Sequence, residues 1–270
     1  MQIGVPKETV ENERRVALVP SVVPLLVQSG HNVLIESQAG LSSSYSDDAY
    51  EASGALISKS TTDVYASDTI LKVQAPSVEE VNILREGTTL IGVLQPLTDH
   101  QLVKALAEKN ITSFSMDSVP RIARAQSMDV LSSMASIAGY RSVLIAADAL
   151  PKFFPMMMTA AGTYPPAKGL VLGAGVAGLQ AIATGRRLGA IMQAFDVRPS
   201  VKQEVESLGA IFVGMTPEGV EVQDSGGYAK ELAEDTQKIE RELIHKHAIE
   251  SDFIISTAMI PDLSKLFLRM

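Results

Sequence analysis

The 270-residue sequence contains no cysteine. That excludes disulfides, a thiolate nucleophile and cysteine-ligated zinc, and it fits a reducing cytosol. Histidine is scarce. His31, His100, His245 and His247 are the whole supply, all in polar helical or loop settings where surface residence is expected, and no metal site is expected. Basic residues are outnumbered, 23 against 31 acidic, and the net charge of −8 argues against a nucleic-acid surface. Long apolar runs are also few. The most apolar window, 134–150, is interrupted by Arg141 and Asp148, and is expected to be too short to cross a bilayer. The N-terminal MQIGVPKE lacks the basic and apolar regions of a signal peptide. With 46% hydrophobic and 20% charged residues, a soluble, cytoplasmic globular protein is expected, large enough for two domains.

Against these absences stands one dense stretch, residues 168–198. A short apolar run, GLVL at 169–172, suits a buried strand and is too short for a helix. It leads directly into Gly173-Ala-Gly175-Val-Ala-Gly178, the G-x-G-x-x-G spacing of a dinucleotide-binding turn. In such a turn the first glycine permits the tight bend. The second lets backbone approach a pyrophosphate, and the third lets the next helix lie close to the strand. The helix expected at 176–188 would aim its N-terminal N–H groups and dipole at the phosphates. Gly189 closes it, and a second strand at 190–195 ends in Asp196. Asp196 lies 23 residues after Gly173, close to the ~20 expected of an acid that binds the adenosine ribose hydroxyls. A carboxylate there also repels a 2′-phosphate, which favours NAD over NADP. Arg198, two residues on, is the feature that softens this preference.

Before that stretch, strands expected at 2–5, 32–36, 55–58, 69–73, 89–94 and 111–116 alternate with helices. That alternation implies a parallel sheet with helices on both faces. Ser46 reads as an N-cap. One long helix, 128–150, carries small residues at Ser132, Ala135, Gly139, Ser142 and Ala146, whose spacing puts them on one face. Gly139 costs such a helix about 1 kcal/mol relative to alanine, so it is expected to have a packing reason. The methionines at 156–158 are expected to fill gaps in packing. After Asp196 come a helix at 199–208, a strand at 211–213, a long loop at 215–228, a charged helix at 229–248 and a strand at 253–257. Only four strands can be counted in this half, where six are usual. The expected fold is α/β: two Rossmann-like domains with parallel sheets joined by a long helix, the second incomplete. Residues 1–127 form the N-terminal domain, 128–164 the bridging helix and linker, and 165–270 the dinucleotide domain, with the cofactor expected in the cleft between domains.

A second constellation, Arg121-Ile-Ala-Arg124-Ala-Gln126-Ser127-Met128-Asp129, offers hydrogen-bond donors and acceptors without a nucleophile. By composition alone it reads as a solvated loop and helix cap. The match of 121–140, of FPMMMTAAGT at 154–163 with Pro165-Pro166-Ala167, and of 173–198 is more telling. Together they resemble the NAD(H)-binding domain, or soluble alpha component, of proton-translocating nicotinamide nucleotide transhydrogenases. The start, IGVPKE at 3–8 with RVAL at 15–18, and GGYAK at 226–230 are similar to that family too. The resemblance implies that Arg121, Gln126 and Asp129 position the nicotinamide, with Ser127, Met128 and Ser132 nearby. The glycine turn (Gly173, Gly175, Val176, Ala177, Gly178) and Asp196, Val197 and Arg198 would hold the rest of NAD. Gly227 and Tyr228 would belong to a loop closing over it. The implied reaction is direct hydride transfer from NADH to NADP⁺ on a partner domain. Such a transfer needs two rings held at near-attack distance rather than an acid, base or metal. The implied partners are NADP-binding and membrane-spanning transhydrogenase components and a second copy of the chain. The implied location is cytoplasmic, peripheral to the inner membrane.

Alanine dehydrogenases share this architecture and are similar at Arg15 and at Leu71-Lys72-Val73, where that family grips a substrate carboxylate. They also use a histidine in a Leu-His-Leu context as acid/base. The matching place here is Leu94-Gln95-Pro96, and glutamine does not titrate at useful pH. The resemblance therefore favours the transhydrogenase, with an alanine dehydrogenase-like oxidoreductase or a non-catalytic NAD-binding fragment as the alternatives.

Overall fold

The computed structural model describes residues 1–120, 122–214 and 234–257, and every absence or count below refers to those residues. Arg121, Gly227 and Tyr228 lie outside them. The chain divides into two compact units, Met1–Val130 and a second that begins at Leu131. The segment 128–164 expected as a separate linker therefore falls almost wholly within the second unit.

The first unit holds a six-stranded sheet. Its strands are β1 (Gln2–Val5), β2 (Asn32–Glu36), β3 (Leu56–Ser58), β4 (Thr69–Leu71), β5 (Thr89–Gly92) and β6 (Thr112–Ser115). Between them lie α1 (Val23–Gln28), α2 (Asp47–Ala52), α3 (Thr61–Tyr65), α4 (Val78–Ile83) and α5 (His100–Glu108). The spatial order is β3-β2-β1-β4-β5-β6 and every pairing is parallel, the doubly wound order of a dinucleotide-type fold. Side-chain alternation sends Ile70 of β4 into one core with Tyr65, Leu90 and Leu106, and Leu71 into another with Val5, Ile35 and Tyr50. The helices start where short polar side chains satisfy free N–H groups. Ser46, Ser60, Ser77 and Asp99 cap α2, α3, α4 and α5.

Helix α6 (Val130–Ala149) leads from the last residue of the first unit into the second, followed by the hairpin β7 (Met157–Thr159) and β8 (Gly162–Tyr164). The second unit continues through β9 (Lys168–Leu172), α7 (Val176–Arg187), β10 (Ile191–Phe195), α8 (Lys202–Ser207), β11 (Ile211–Phe212), α9 (Glu234–Ile249) and β12 (Phe253–Ser256). The parallel sheet runs β11-β10-β9-β12. Its core joins Val143 of α6 to Val171, Ile182, Met192, Val205 and Ile255, with Ala146, Ala147 and Leu150 packed against it.

Two expectations change here. At 20 residues and a mean hydropathy of 1.4, α6 is long and apolar enough to cross a membrane by length and composition, so it is not too short. What ties it to the folded unit is Val143, fully buried in the core, and buried Gly139. The methionines at 156–158 do not fill gaps. Met156, Met157 and Met158 are exposed, Met158 by 77%, because they enter and form the first strand of a hairpin whose six residues are all exposed.

Candidate functional site

The glycine turn between β9 and α7 has a different physical reason at each glycine. Gly173 has φ +97°, a conformation that costs a side chain strain. At Gly178 a Cβ would lie 1.9 Å from the Gly173 carbonyl oxygen, so the helix meets the turn backbone to backbone. Gly175, the N-cap of α7, has extended backbone, and a Cβ there would meet nothing within 4 Å. Neither conformation nor internal packing requires glycine at that position. What its absent side chain leaves is open backbone at the positive end of a helix that, unlike α2 to α5, has no side-chain cap. Glycine at an N-cap costs about a few tenths of a kcal/mol relative to a capping side chain, and an external anion there would add its own stabilisation.

Asp196 follows β10 and is 6% exposed. Its Oδ2 accepts the Ala174 N–H of the turn at 2.7 Å and Arg198 Nη2 at 2.9 Å. Its Oδ1 accepts the Arg198 N–H and Nε, each at 2.9 Å. Burial pushes the Asp196 carboxyl up, but the Arg198 side chain, the two N–H donors and the guanidinium charge outweigh it and hold the carboxyl below its ordinary range. The carboxylate is thus paired with Arg198, the residue expected to soften its preference, and it staples the glycine turn to the end of β10. Val197 is half-buried between the two charged residues, and Val176 is exposed on the first turn of α7.

Of the other expected residues, Gln126, Ser127 and Met128 are exposed on a 3₁₀ turn, Ala123–Met128, anchored by buried Ala125. The Gln126 carbonyl accepts the Asp129 N–H at 3.2 Å. Asp129 is half-buried just before α6, and Ser132 half-buried in its first turn. The structure brings Gly173, Gly175, Val176, Ala177, Gly178, Asp196 and Arg198 together in the second unit, and Gln126 to Asp129 on one turn of the first.

A charged cluster in the first unit escaped the sequence reading. Lys72 Nζ lies 2.9 Å from Glu80 Oε1 and 3.5 Å from Glu8 Oε2, and its side chain is 1% exposed. Tyr65 donates its hydroxyl to the same Glu80 oxygen at 2.7 Å. Glu8 also accepts the Val73 N–H at 2.6 Å. Beside it, Arg15 grips Glu13 through Nε and Nη2 at 2.8 and 2.6 Å. That grip, with a donor from Gln74 and against the opposing effect of burial, pulls the Glu13 carboxyl down to about 2. The two cations matched to a carboxylate-gripping pair are therefore already held by carboxylates of the chain itself. Gln95, at the place of the acid/base, is exposed with φ +50°, and its carbonyl closes a turn onto Thr98 and Asp99. The sequence signals for the cluster were Arg15 and Lys72, matched to the carboxylate grip of alanine dehydrogenases, and Glu8 in the N-terminal motif.

Two family profiles cover nearly the whole chain. The "Alanine dehydrogenase/PNT, N-terminal domain" matches residues 4–138 and the "Alanine dehydrogenase/PNT, C-terminal domain" residues 142–266. The chain belongs to the alanine dehydrogenase/PNT family. Among members of this family, it is 46% identical over 268 residues to an NAD(P) transhydrogenase alpha subunit of Rhodospirillum rubrum, the first piece of a divided subunit, covering 97% of the chain and 70% of that relative. It is 46% identical to the NAD(P) transhydrogenase subunit alpha of Haemophilus influenzae, of which it spans 51%. Alanine dehydrogenase of Staphylococcus saprophyticus is 36% identical over 211 residues, 77% of this chain and 56% of that enzyme. Among solved structures, transhydrogenase from Sinorhizobium meliloti superposes with a TM-score of 0.83 at 42% identity, over 97% of this chain and 70% of that one. An L-alanine dehydrogenase gives 0.71 at 29% identity, over 80% and 61%. Within the alanine dehydrogenase/PNT family, likeness to the transhydrogenase members is greater in both identity and extent.

Proposed function

We propose that this chain is the NAD(H)-binding component of a proton-translocating transhydrogenase, presenting NADH for direct hydride transfer to NADP⁺ on a partner domain. The observation that carries this reading is the turn at Gly173, Gly175 and Gly178. Its middle glycine is explained by an external ligand and by nothing inside the fold. The chain's residues fit a dinucleotide. The first N–H groups of α7 would hold the diphosphate. Asp196 and Arg198 would meet the adenosine ribose, with Val197 beside them. Arg121, Gln126 and Asp129, with Ser127, Met128 and Ser132, would orient the nicotinamide, and Gly227 and Tyr228 would close over it. NADH itself supplies the hydride. The chain's task is then alignment and exclusion of water, which suits a set of hydrogen-bonding groups with no nucleophile among them.

The reading extends to partners. NADP-binding and membrane-spanning components would hold the chain at the inner membrane from the cytoplasmic side. A second copy would pair through the hairpin β7–β8, because a two-stranded hairpin alone in water is marginal and a two-fold axis can join its equal edges. The alanine dehydrogenase alternative is opposed by the engaged Arg15 and Lys72 and by the non-titrating Gln95.

Calorimetric titration with NADH tests binding, and single-turnover transfer to NADP⁺ on an added partner domain tests the reaction. Gln126→Ala is expected to leave NADH affinity nearly unchanged while slowing transfer on the order of a hundredfold, the cost of a ~1 Å misalignment. An unchanged transfer rate in that variant would return the 3₁₀ turn to a solvated cap, and absence of NADH binding would end the proposal.

A further inference from the structure

Helix α6 passes the first turn of α7 closely at Gly139. A Cβ built on Gly139 would lie 2.0 Å from the Ala177 carbonyl oxygen, 2.9 Å from its carbonyl carbon and 3.1 Å from its Cα. All three are backbone atoms, so no rotamer change makes room. Gly185, further along α7, is a useful contrast, since its Cβ would meet the side chain of Met192, which can move. Gly139 is not among the described residues with positive φ. Close approach, not conformation, is what requires it.

The neighbouring residue of α7 is held from another direction. Gly178 sits against the Gly173 carbonyl, and the Thr257 hydroxyl donates to that same oxygen at 2.9 Å. Thus Ala177 and Gly178, consecutive in the first turn, are fixed by α6 and by the glycine turn. Along α6, Ser132 lies seven residues before Gly139, two turns away on the same face.

We propose that Gly139 is a positioning residue for the dinucleotide. By admitting the backbone of α7, it sets where the N–H groups of Val176, Ala177 and Gly178 lie. It fixes them relative to Ser132 on the same face of α6. Any side chain at 139 would push the first turn of α7 off that position and misalign the diphosphate donors. This inference rests on the NAD(H)-binding reading and deepens it. It adds to the glycine turn a fourth glycine, outside the motif and on another helix.

The probe is ADP, which carries the diphosphate and adenosine without the nicotinamide. In the full chain, Gly139→Ala is expected to weaken ADP binding about tenfold, the effect of losing roughly one charge-assisted hydrogen bond. Alanine is otherwise the better helix former, so a role confined to α6 itself would leave binding unchanged and raise the thermal midpoint. Val143→Ala, one turn on and equally buried, removes packing without adding bulk at Ala177. It is expected to lower the thermal midpoint and leave ADP affinity as in wild type. Equal ADP affinity of wild type and Gly139→Ala would overturn the positioning role while leaving the binding reading intact. Failure of wild type to bind ADP would overturn both. Should Gly139→Ala not fold, amide exchange of the wild type decides. ADP is expected to slow exchange across 136–143 as well as 174–179, and protection that stops at the glycine turn would overturn the role.

Discussion

A carboxylate has room for about four hydrogen bonds, and Asp196 already makes four, three of them to Arg198. A ribose hydroxyl can therefore reach it only by displacing part of the Arg198 grip. The charge that would repel a 2′-phosphate is met by a guanidinium at 2.9 Å. Under the proposed NAD(H) reading, selectivity between NADH and NADPH would depend on the pair, and the acid at the end of β10 cannot be read alone. Arg198→Ala is expected to free Asp196 and raise the ratio of NADH to NADPH affinity roughly tenfold, since charge-assisted hydrogen bonds contribute about 1.5–3 kcal/mol. Asp196→Ala should shift the ratio the other way, leaving a guanidinium free to meet the extra phosphate. Calorimetry with both nucleotides measures this. A ratio unmoved by Arg198→Ala would mean the guanidinium does not neutralise the site. The 23-residue spacing from Gly173 was legible in the sequence, as was Arg198 as a complication. The three bonds between the two residues were not, because spacing says nothing of rotamers.

At the scale of elements, what could be read was what periodicity and caps encode. Ser46 accepts the Ala49 N–H as a cap should, and β1 and β2 fall where the strands were expected, at 2–5 and 32–36. Gly139 was expected to have a packing reason, and its backbone contact with Ala177 is that reason. Element ends were less legible where side chains compete for backbone. A strand was expected to run to Val73, but Glu8, 65 residues away, takes the Val73 N–H, and β4 stops at Leu71. Helix α6 starts at Val130 because residues 123–128 turn as a 3₁₀ segment. The hairpin was missed altogether. Strands of three residues are too short for a period, and Gly162, at φ +134°, was read only as belonging to a motif. Its consequence is testable. Met158 is the most exposed of the three consecutive methionines, and in the proposed dimer Met158→Asp is expected to shift the chain toward monomer in sedimentation, with the thermal midpoint falling only by the lost association. A dimer that persists would remove the hairpin from the proposed interface.

Taken whole, the chain carries two doubly wound units of similar plan, and only one has a glycine turn. The first unit puts its buried charges to another use. Two carboxylates, Glu8 and Glu80, surround the one ammonium of Lys72, and Tyr65 adds a hydroxyl whose pKa is pushed up by burial and by its bond to Glu80. This cluster ties the irregular segment after β1 to β4 and α4. If that is its work, Lys72 acts on stability and not on any substrate. Removing one partner of a buried charge group costs about 3–5 kcal/mol, because it leaves the others uncompensated. Lys72→Met is therefore expected to lower the denaturant midpoint markedly while ADP affinity, proposed to lie at the glycine turn, stays as in wild type. The wild-type chain is expected to show no alanine- or pyruvate-dependent turnover of NAD(H), because Arg15 and Lys72 are engaged by Glu13, Glu8 and Glu80 and Gln95 cannot move a proton. Steady-state assays with both substrates check this. Turnover in the wild type that vanished in Lys72→Met at unchanged stability would make Lys72 a substrate ligand. The transhydrogenase reading would then give way to an amino-acid dehydrogenase.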